Sequence, residues 1–511
     1  MPTVNNELLR RDVRTLGDML GDVIQELAGT AALERVEAIR KVARERRAGS
    51  PEAEHELTKL IAELDEPAAR DVTRAFSIFF DLANLAEDRH RVRTLRLRER
   101  ERHPEPRSES IGDAICKLRD AGFTPAETQS ALDRLAIELV FTAHPSEAKR
   151  RSLRVKLRRM RQALEDLDGP DLLPRERNKL ENLLRMEMSV LWQSEFLRPS
   201  RPTVLQEVRR GLTIAPRLWE VVPGVYGDMR RALEVCYPGV QFHLPVFLQF
   251  GSWIGGDRDG HPHVTYDVTA QTLLWLRQAA VEAHLVECRR LFEFLSISSE
   301  EVKVADVLKE RLAQAIQKWP ELAERMEPVA PVEVCRQWLA MIRWRLEHSF
   351  GTKIGDELQP GAYRDGAELE IDVQTLIDSL QGNHVKRLIN DELLPWLDLV
   401  RVFGLHMNRL DVRQDSRRHS EVMTELFAKL GVTDNFETLA EDEKQAVLAR
   451  TIPWPSDIPR DGLSATTIET LELFRLLHSA MTNFGPSCLG SHIISLTSTP
   501  SDVLIVLWLW R

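Results

Sequence analysis

The sequence predicts a mainly α-helical protein built around parallel β/α units, and three observations carry that expectation. Apolar residues recur with the helical period along most of the chain: Leu9, Val13, Leu16, Leu20, Val23 and Ile24 share one face, with Arg, Asp and Glu between them. Four short, apolar, partly β-branched segments interrupt this texture: IELVFT (Ile137 to Thr142), PVFLQF (Pro245 to Phe250), RLDVR (Arg409 to Arg413) and HIISLT (His492 to Thr497). Each reads as a buried strand followed by a polar cluster and a long helical stretch, the order of a parallel β/α unit, whose chemistry gathers where strands end.

Composition bounds the partners. The chain has 511 residues, a formal net charge of −10, 29% charged and 43% hydrophobic residues. That balance fits a cytoplasmic protein and argues against non-specific nucleic-acid binding, so any anion site must be a local cluster of Arg and Lys. Five scattered cysteines with no CxxC pair read as reduced, mostly buried thiols. The opening MPTVNNELLRRD has no apolar stretch after a basic start, so no secretory signal is visible. VLIVLWLW (Val503 to Trp510) is far shorter than the roughly 20 residues of a membrane span and reads as a buried core segment.

Local signals place further elements. TPAE supplies a capping box from Thr124 and Glu127, with Pro125 at the first helical position. RVRTLRLRERER (91 to 102) is an anion patch or a solvated helix end or loop, and mixed-sign charge favours the latter. DELQPGAYRDGAE (Asp356 to Glu368) reads as a surface loop from its Pro, Gly and charge content.

Three stretches carry candidate chemistry. In VFTAHPSEAKRRS, His144 follows a strand and precedes Pro145, which suits the first turn of a helix. A helix N-terminus disfavours imidazolium and favours a bound anion, so a neutral His144 facing an anionic substrate is physically reasonable. Lys149, Arg150 and Arg151 bind phosphate or point to solvent, and spacing leaves both open; on a helix from Pro145 the two arginines lie about two turns along, apart from His144.

In FGSWIGGDRDGHPHVT, Gly255, Gly256 and Gly260 permit a sharply bent backbone close to a ligand. Asp257, Arg258 and Asp259 either satisfy one another or hold a divalent ion, the former being favoured. Trp253 is core packing or a wall of the site. In FGLHMNRLDVRQDSRRH, strand alternation puts Asp411 and Arg413 on one side. Arg413 at a strand end suits bidentate recognition of phosphate or carboxylate, or pairs with Asp411.

Together these stretches resemble the phosphoenolpyruvate carboxylase family, bacterial type. The family's TAHPT followed by two arginines stands here as TAHPSEAKRRS, its GGDRDGNP as GGDRDGHP, and its LDxRQxS as LDVRQDS. Similar stretches are Arg74 to Arg93, Trp192 to Val208 and His492 to Leu504, so the likeness runs almost from end to end. Departures are Ser146 for Thr, His261 for Asn and Gln206 for Asp, none of which removes a charged reacting group.

The resemblance implies a mainly helical fold around an eight-stranded β/α (TIM-like) barrel, with about the first half of the strands here. Residues 1–511 would form one incomplete domain: an N-terminal helical part over 1–130, then barrel strands with large helical insertions over 131–511. It implies a lyase that forms oxaloacetate and phosphate from phosphoenolpyruvate and bicarbonate, replenishing the tricarboxylic acid cycle, and a homotetramer when full length. His144 matches the catalytic histidine; Arg413, Arg258 and Trp253 match substrate-binding positions; Arg150 and Arg151 match an activator or phosphate site.

The family continues for several hundred residues past SDVL, through a glycine-rich loop, a lysine, further arginines and the ligands of Mg²⁺ or Mn²⁺. No metal ligand is therefore expected in this chain, which is expected to be poorly soluble and inactive alone. The alternatives are one half of a split carboxylase, or a non-catalytic anion-binding or scaffold paralogue.

Overall fold

The structure is a computed structural model that describes residues 6–142, 150–196, 202–259, 261–380, 382, 385–452, 458 and 460–511. The chain divides into two compact units, Met1–Asp113 with Pro145–Arg201, and Ala114–His144 with Pro202–Arg511.

The first unit is helical among its described residues. Helices Glu7–Ala28, Thr30–Arg47, Pro51–Ala62, Glu66–Arg102, Arg151–Asp166 and Pro174–Trp192 enclose one apolar core that contains Leu16, Leu20, Val23, Ile24, Ile78, Leu82, Met160 and Met188. The helical face read from Leu16 to Ile24 is buried in it, as an amphipathic stripe must be. The charged run 91–102 lies in the long helix Glu66–Arg102; from residue 96 it is the solvated end that its mixed charges favoured, whereas Arg93 is drawn into ion pairs with Asp12 and Asp168.

The helix expected from Pro145 differs. Residues 143–149 lie outside the described residues, and Arg150 is extended (φ −64°, ψ 149°), so this helix starts at Arg151. The two arginines therefore stand at its beginning rather than two turns along.

The second unit contains a four-stranded sheet, with every neighbouring pair parallel: β1 (Ile137–Phe141), β2 (Leu248–Ser252), β3 (Arg409–Asp415) and β4 (Leu489–Ser495), in spatial order β1-β2-β3-β4. All four expected strands form, with shifted boundaries: β1 ends one residue earlier than expected, β3 runs two residues further, and β2 and β4 shift at both ends. β2 starts after Phe247, whose N–H bonds the Tyr226 hydroxyl (3.2 Å) instead of a ladder partner. β4 starts earlier, at Leu489, because Leu410 of β3 already pairs there. β1 is the edge of the described sheet and is not buried as expected, with Ile137 44%, Leu139 49% and Val140 40% exposed. Aromatic rings run from it into the core: Phe141 stacks on Phe250 (6.2 Å), and Phe250 on Phe403 (5.4 Å).

Long helices follow the strands, Tyr266–Phe294 after β2 and Ser416–Lys429 after β3. The capping box at Thr124 forms, with Glu127 N–H to Thr124 Oγ1 at 3.3 Å and Thr124 N–H to Glu127 Oε2 at 2.9 Å. The expected loop is non-helical through Asp365, yet it buries Tyr363, whose hydroxyl donates to Asp372 Oδ2 (2.6 Å). VLIVLWLW lies in the helix Pro500–Trp510, which buries Ile505, Val506, Trp508 and Leu509 and leaves Val503 and Leu507 about half exposed.

Candidate functional site

The carboxyl ends of β2 and β3 build the site. After Ser252 the chain turns through Trp253 to Gly256 and then rejoins the sheet. Arg413 N–H donates to Gly256 O (3.0 Å), and Arg258 N–H donates to Arg413 O (2.8 Å). Two glycines make this return possible. Gly255 has φ +89°, and a Cβ there would lie 2.2 Å from Thr272 Oγ1; a Cβ on Gly256 would lie 2.0 Å from the backbone oxygen of Asp411. The tight loop therefore holds the DRD triplet beside β3.

Asp411 is the hub of this corner. It is buried (4% exposed); its Oδ2 accepts from Trp253 Nε1 (3.0 Å) and its Oδ1 from Ser491 N–H (2.6 Å). It reaches Ser491 because Gly490 has no side chain, a Cβ there lying 2.0 Å from Asp411 Oδ1. Asp411 and Arg413 make no ion pair with each other, so the structural pairing that the sequence left open does not form. Trp253 joins them instead: its edge bonds Asp411, and the Arg413 guanidinium lies 4.9 Å over its ring.

Arg413 is half-buried between two carboxylates, with Nη2 donating to Asp259 Oδ2 (2.6 Å) and Nε 3.5 Å from Asp257 Oδ1. The hydrogen bond from Arg413 holds the Asp259 carboxyl below its usual range, and the same bond raises Arg413. At Asp257, burial pushes the carboxyl up despite the nearby guanidinium.

Arg258 turns away from its flanking aspartates. It is buried, and both Nη atoms donate to Glu469 Oε1 at 2.9 Å, an oxygen that also accepts Tyr266 N–H (2.5 Å). Burial lowers the Arg258 pKa, and Glu469 counters that effect. The favoured DRD network inside the loop is thus replaced by pairing across elements. Beside it opens a cleft of about 870 Å³ whose lining includes Arg258, Asp259, His261, Arg417, Thr466 and Glu469.

The structure therefore brings Trp253 and Arg413 together at one strand end, with Arg258 next to them. His144 lies outside the described residues. Arg150 precedes the helix of the other unit and Arg151 begins it. Among the described residues, no group of three or more His, Cys, Asp or Glu side chains could hold a metal ion. The two loop carboxylates face Arg413, so the described residues do not fit the metal that the resemblance implies. Sequence reasoning missed Glu469, one acidic residue on a long helix with no motif around it, and read Asp411 only as a partner for Arg413.

A guanidinium over an indole thus stands toward the carboxyl ends of the parallel strands of a β/α protein, where such sheets hold their ligands. The phosphoenolpyruvate carboxylase family model matches residues 9–511. The chain is 36% identical over 518 residues to the phosphoenolpyruvate carboxylase of Roseiflexus castenholzii, covering 99% of this chain and 55% of that protein. The enzymes of Ralstonia nicotianae (34%; 98% and 52%) and Rhodothermus marinus (34%; 97% and 53%) are similar. The chain belongs to the phosphoenolpyruvate carboxylase family, and it spans about half the length of these relatives.

Proposed function

We propose that this chain carries the strand-end anion site of a cytoplasmic phosphoenolpyruvate carboxylase, the four strands belonging to a β/α barrel that assembles as a homotetramer. The reaction is attack of a bicarbonate oxygen on phosphorus, giving carboxyphosphate and the pyruvate enolate; carboxyphosphate then splits into CO₂ and inorganic phosphate, and the enolate captures the CO₂ to form oxaloacetate. Negative charge builds on phosphate and enolate oxygens, so fixed cations and oriented donors are what such a site must supply. Mg²⁺ or Mn²⁺ would add charge stabilisation when bound, and among the described residues no group of three or more His, Cys, Asp or Glu side chains could hold it.

In this reading Arg413 binds an anionic group of phosphoenolpyruvate, Trp253 holds that guanidinium by its ring face, and Arg258 fixes the loop through Glu469. His144 acts as base or orienting group for carboxyphosphate, and Arg150 with Arg151 forms a separate activator or phosphate site. The observation that carries the reading is Arg413 held 4.9 Å over Trp253 at the end of β3. Calorimetric titration of the chain with phosphoenolpyruvate tests it. Arg413→Gln should weaken binding about tenfold or more, since a charge-assisted bidentate contact is lost. Unchanged binding would overturn the reading.

A further inference from the structure

Of the arginine–carboxylate pairs at the strand ends, Arg258–Glu469 and Arg413–Asp259 flank the loop after β2, and only the second is built to exchange its partner. Arg258 and Glu469 have side chains 5% and 29% exposed, and the shared Glu469 oxygen is also tied to the Tyr266 backbone. Arg413 and Asp259 are 27% and 24% exposed, and Asp259 is bound to Arg413 at a single oxygen. Asp257 stands on the same guanidinium at 3.5 Å. One cation therefore faces two carboxylates, and the local charge is negative where an anion should dock. The nearby Arg417 is already paired with Asp415, the next carboxylate along β3.

We propose that Asp259 is a built-in occupant of the Arg413 site, a specificity-determining residue that an incoming phosphate group must displace. This rests on the reading of Arg413 given above. A monoanion such as a simple carboxylate offers Arg413 nothing that Asp259 does not already give. A dianionic phosphate offers more charge and two oxygens for the guanidinium fork, so it alone gains by the exchange. Asp259 thus sets a charge threshold for entry.

The alternative role, in which Asp259 merely orients Arg413, predicts the opposite sign, and that makes the test decisive. Phosphoenolpyruvate, inorganic phosphate and acetate are titrated by calorimetry into the wild-type chain and into Asp259→Asn, Asp257→Asn and Arg413→Gln. Asp259→Asn should bind phosphoenolpyruvate about threefold or more tighter, because a competing charge is removed, and should narrow the preference for phosphate over acetate. Asp257→Asn, at the longer contact, should shift both in the same direction by less. It also reports independently if thermal melting shows that Asp259→Asn does not fold. Equal or weaker binding by the asparagine variants, with binding weakened in Arg413→Gln, overturns the occupant role alone. Binding unaffected by Arg413→Gln overturns the parent reading.

Discussion

In the helical unit, Arg89 and Arg93 share Asp12 and Asp168; at the strand ends, Asp257 and Asp259 flank Arg413. The four side chains of the first set balance, two cations with two anions, and the exposed Arg11 adds a longer contact to Asp12 (3.7 Å). Arg93 donates to Asp12 (2.6 Å) and to both Asp168 oxygens (2.6 and 2.9 Å), while Arg89 donates to both Asp168 oxygens (2.5 and 2.8 Å). It ties the helix Glu7–Ala28, the helix Glu66–Arg102 and the turn after Asp166 together, and Asp12 and Arg89 are almost fully buried. The second set is unbalanced, partly exposed and carried by a loop. The same chemistry closes a scaffold where the charges cancel, and leaves a place for a ligand where they do not.

The largest expected effect breaks the balanced set. Asp12→Ala leaves two guanidinium groups sharing the single anion Asp168, with Arg93 Nη1 deprived of its acceptor, and should cost about 3–5 kcal/mol, read as a shift in the urea midpoint. Little or no shift would show that this set is not a structural clasp. At the strand ends the comparable lesion is steric rather than electrostatic. Gly256→Ala forces a Cβ against the Asp411 carbonyl and should cost about 2–3 kcal/mol in the same measurement, with loss of phosphoenolpyruvate binding because Arg413 loses its backbone anchor.

Acid sharpens the contrast. Burial pushes the Asp168 carboxyl up, but the hydrogen bonds and charges of Arg89 and Arg93 outweigh it and hold the carboxyl down to about 2. A carboxyl depressed in the folded state stabilises fully above its unfolded value of about 4, and that contribution is lost as pH falls through the folded one. The stability gap between wild type and Asp168→Asn should therefore close between about pH 4 and pH 2, and a gap independent of pH there would contradict the ion-pair account. The smallest effect isolates one hydrogen bond. Trp253→Phe keeps a ring under Arg413 and removes the bond to Asp411, costing about 1 kcal/mol. A cost near zero would mean that Asp411 is held by Ser491 alone.

Much of this corner was legible beforehand because each motif is local. RLDVR read as a strand ending at Arg413, and β3 does hold Arg413 but runs on to Asp415; Gly255 and Gly256 announced a bent backbone beside it. Partner choice was not legible. Asp411 turned to Trp253 and Ser491, residues 158 and 80 positions away in the chain, and Arg258 to Glu469, 211 positions away. Periodicity also overestimated the burial of β1, because a run of apolar residues reports strand character and not what lies against its faces.

By itself the sequence determined the helical texture, the four strands and their order, the capping box at Thr124, and, through three motifs, the family. These depend on period, turn chemistry and residue type, which act over a few positions. Only the tertiary structure decided which carboxylate meets which arginine, that Arg150 stands before its helix instead of within it, and that one strand-end guanidinium faces two acids. Those outcomes depend on which elements pack side by side, and ion pairs form between whatever charges that packing brings within reach.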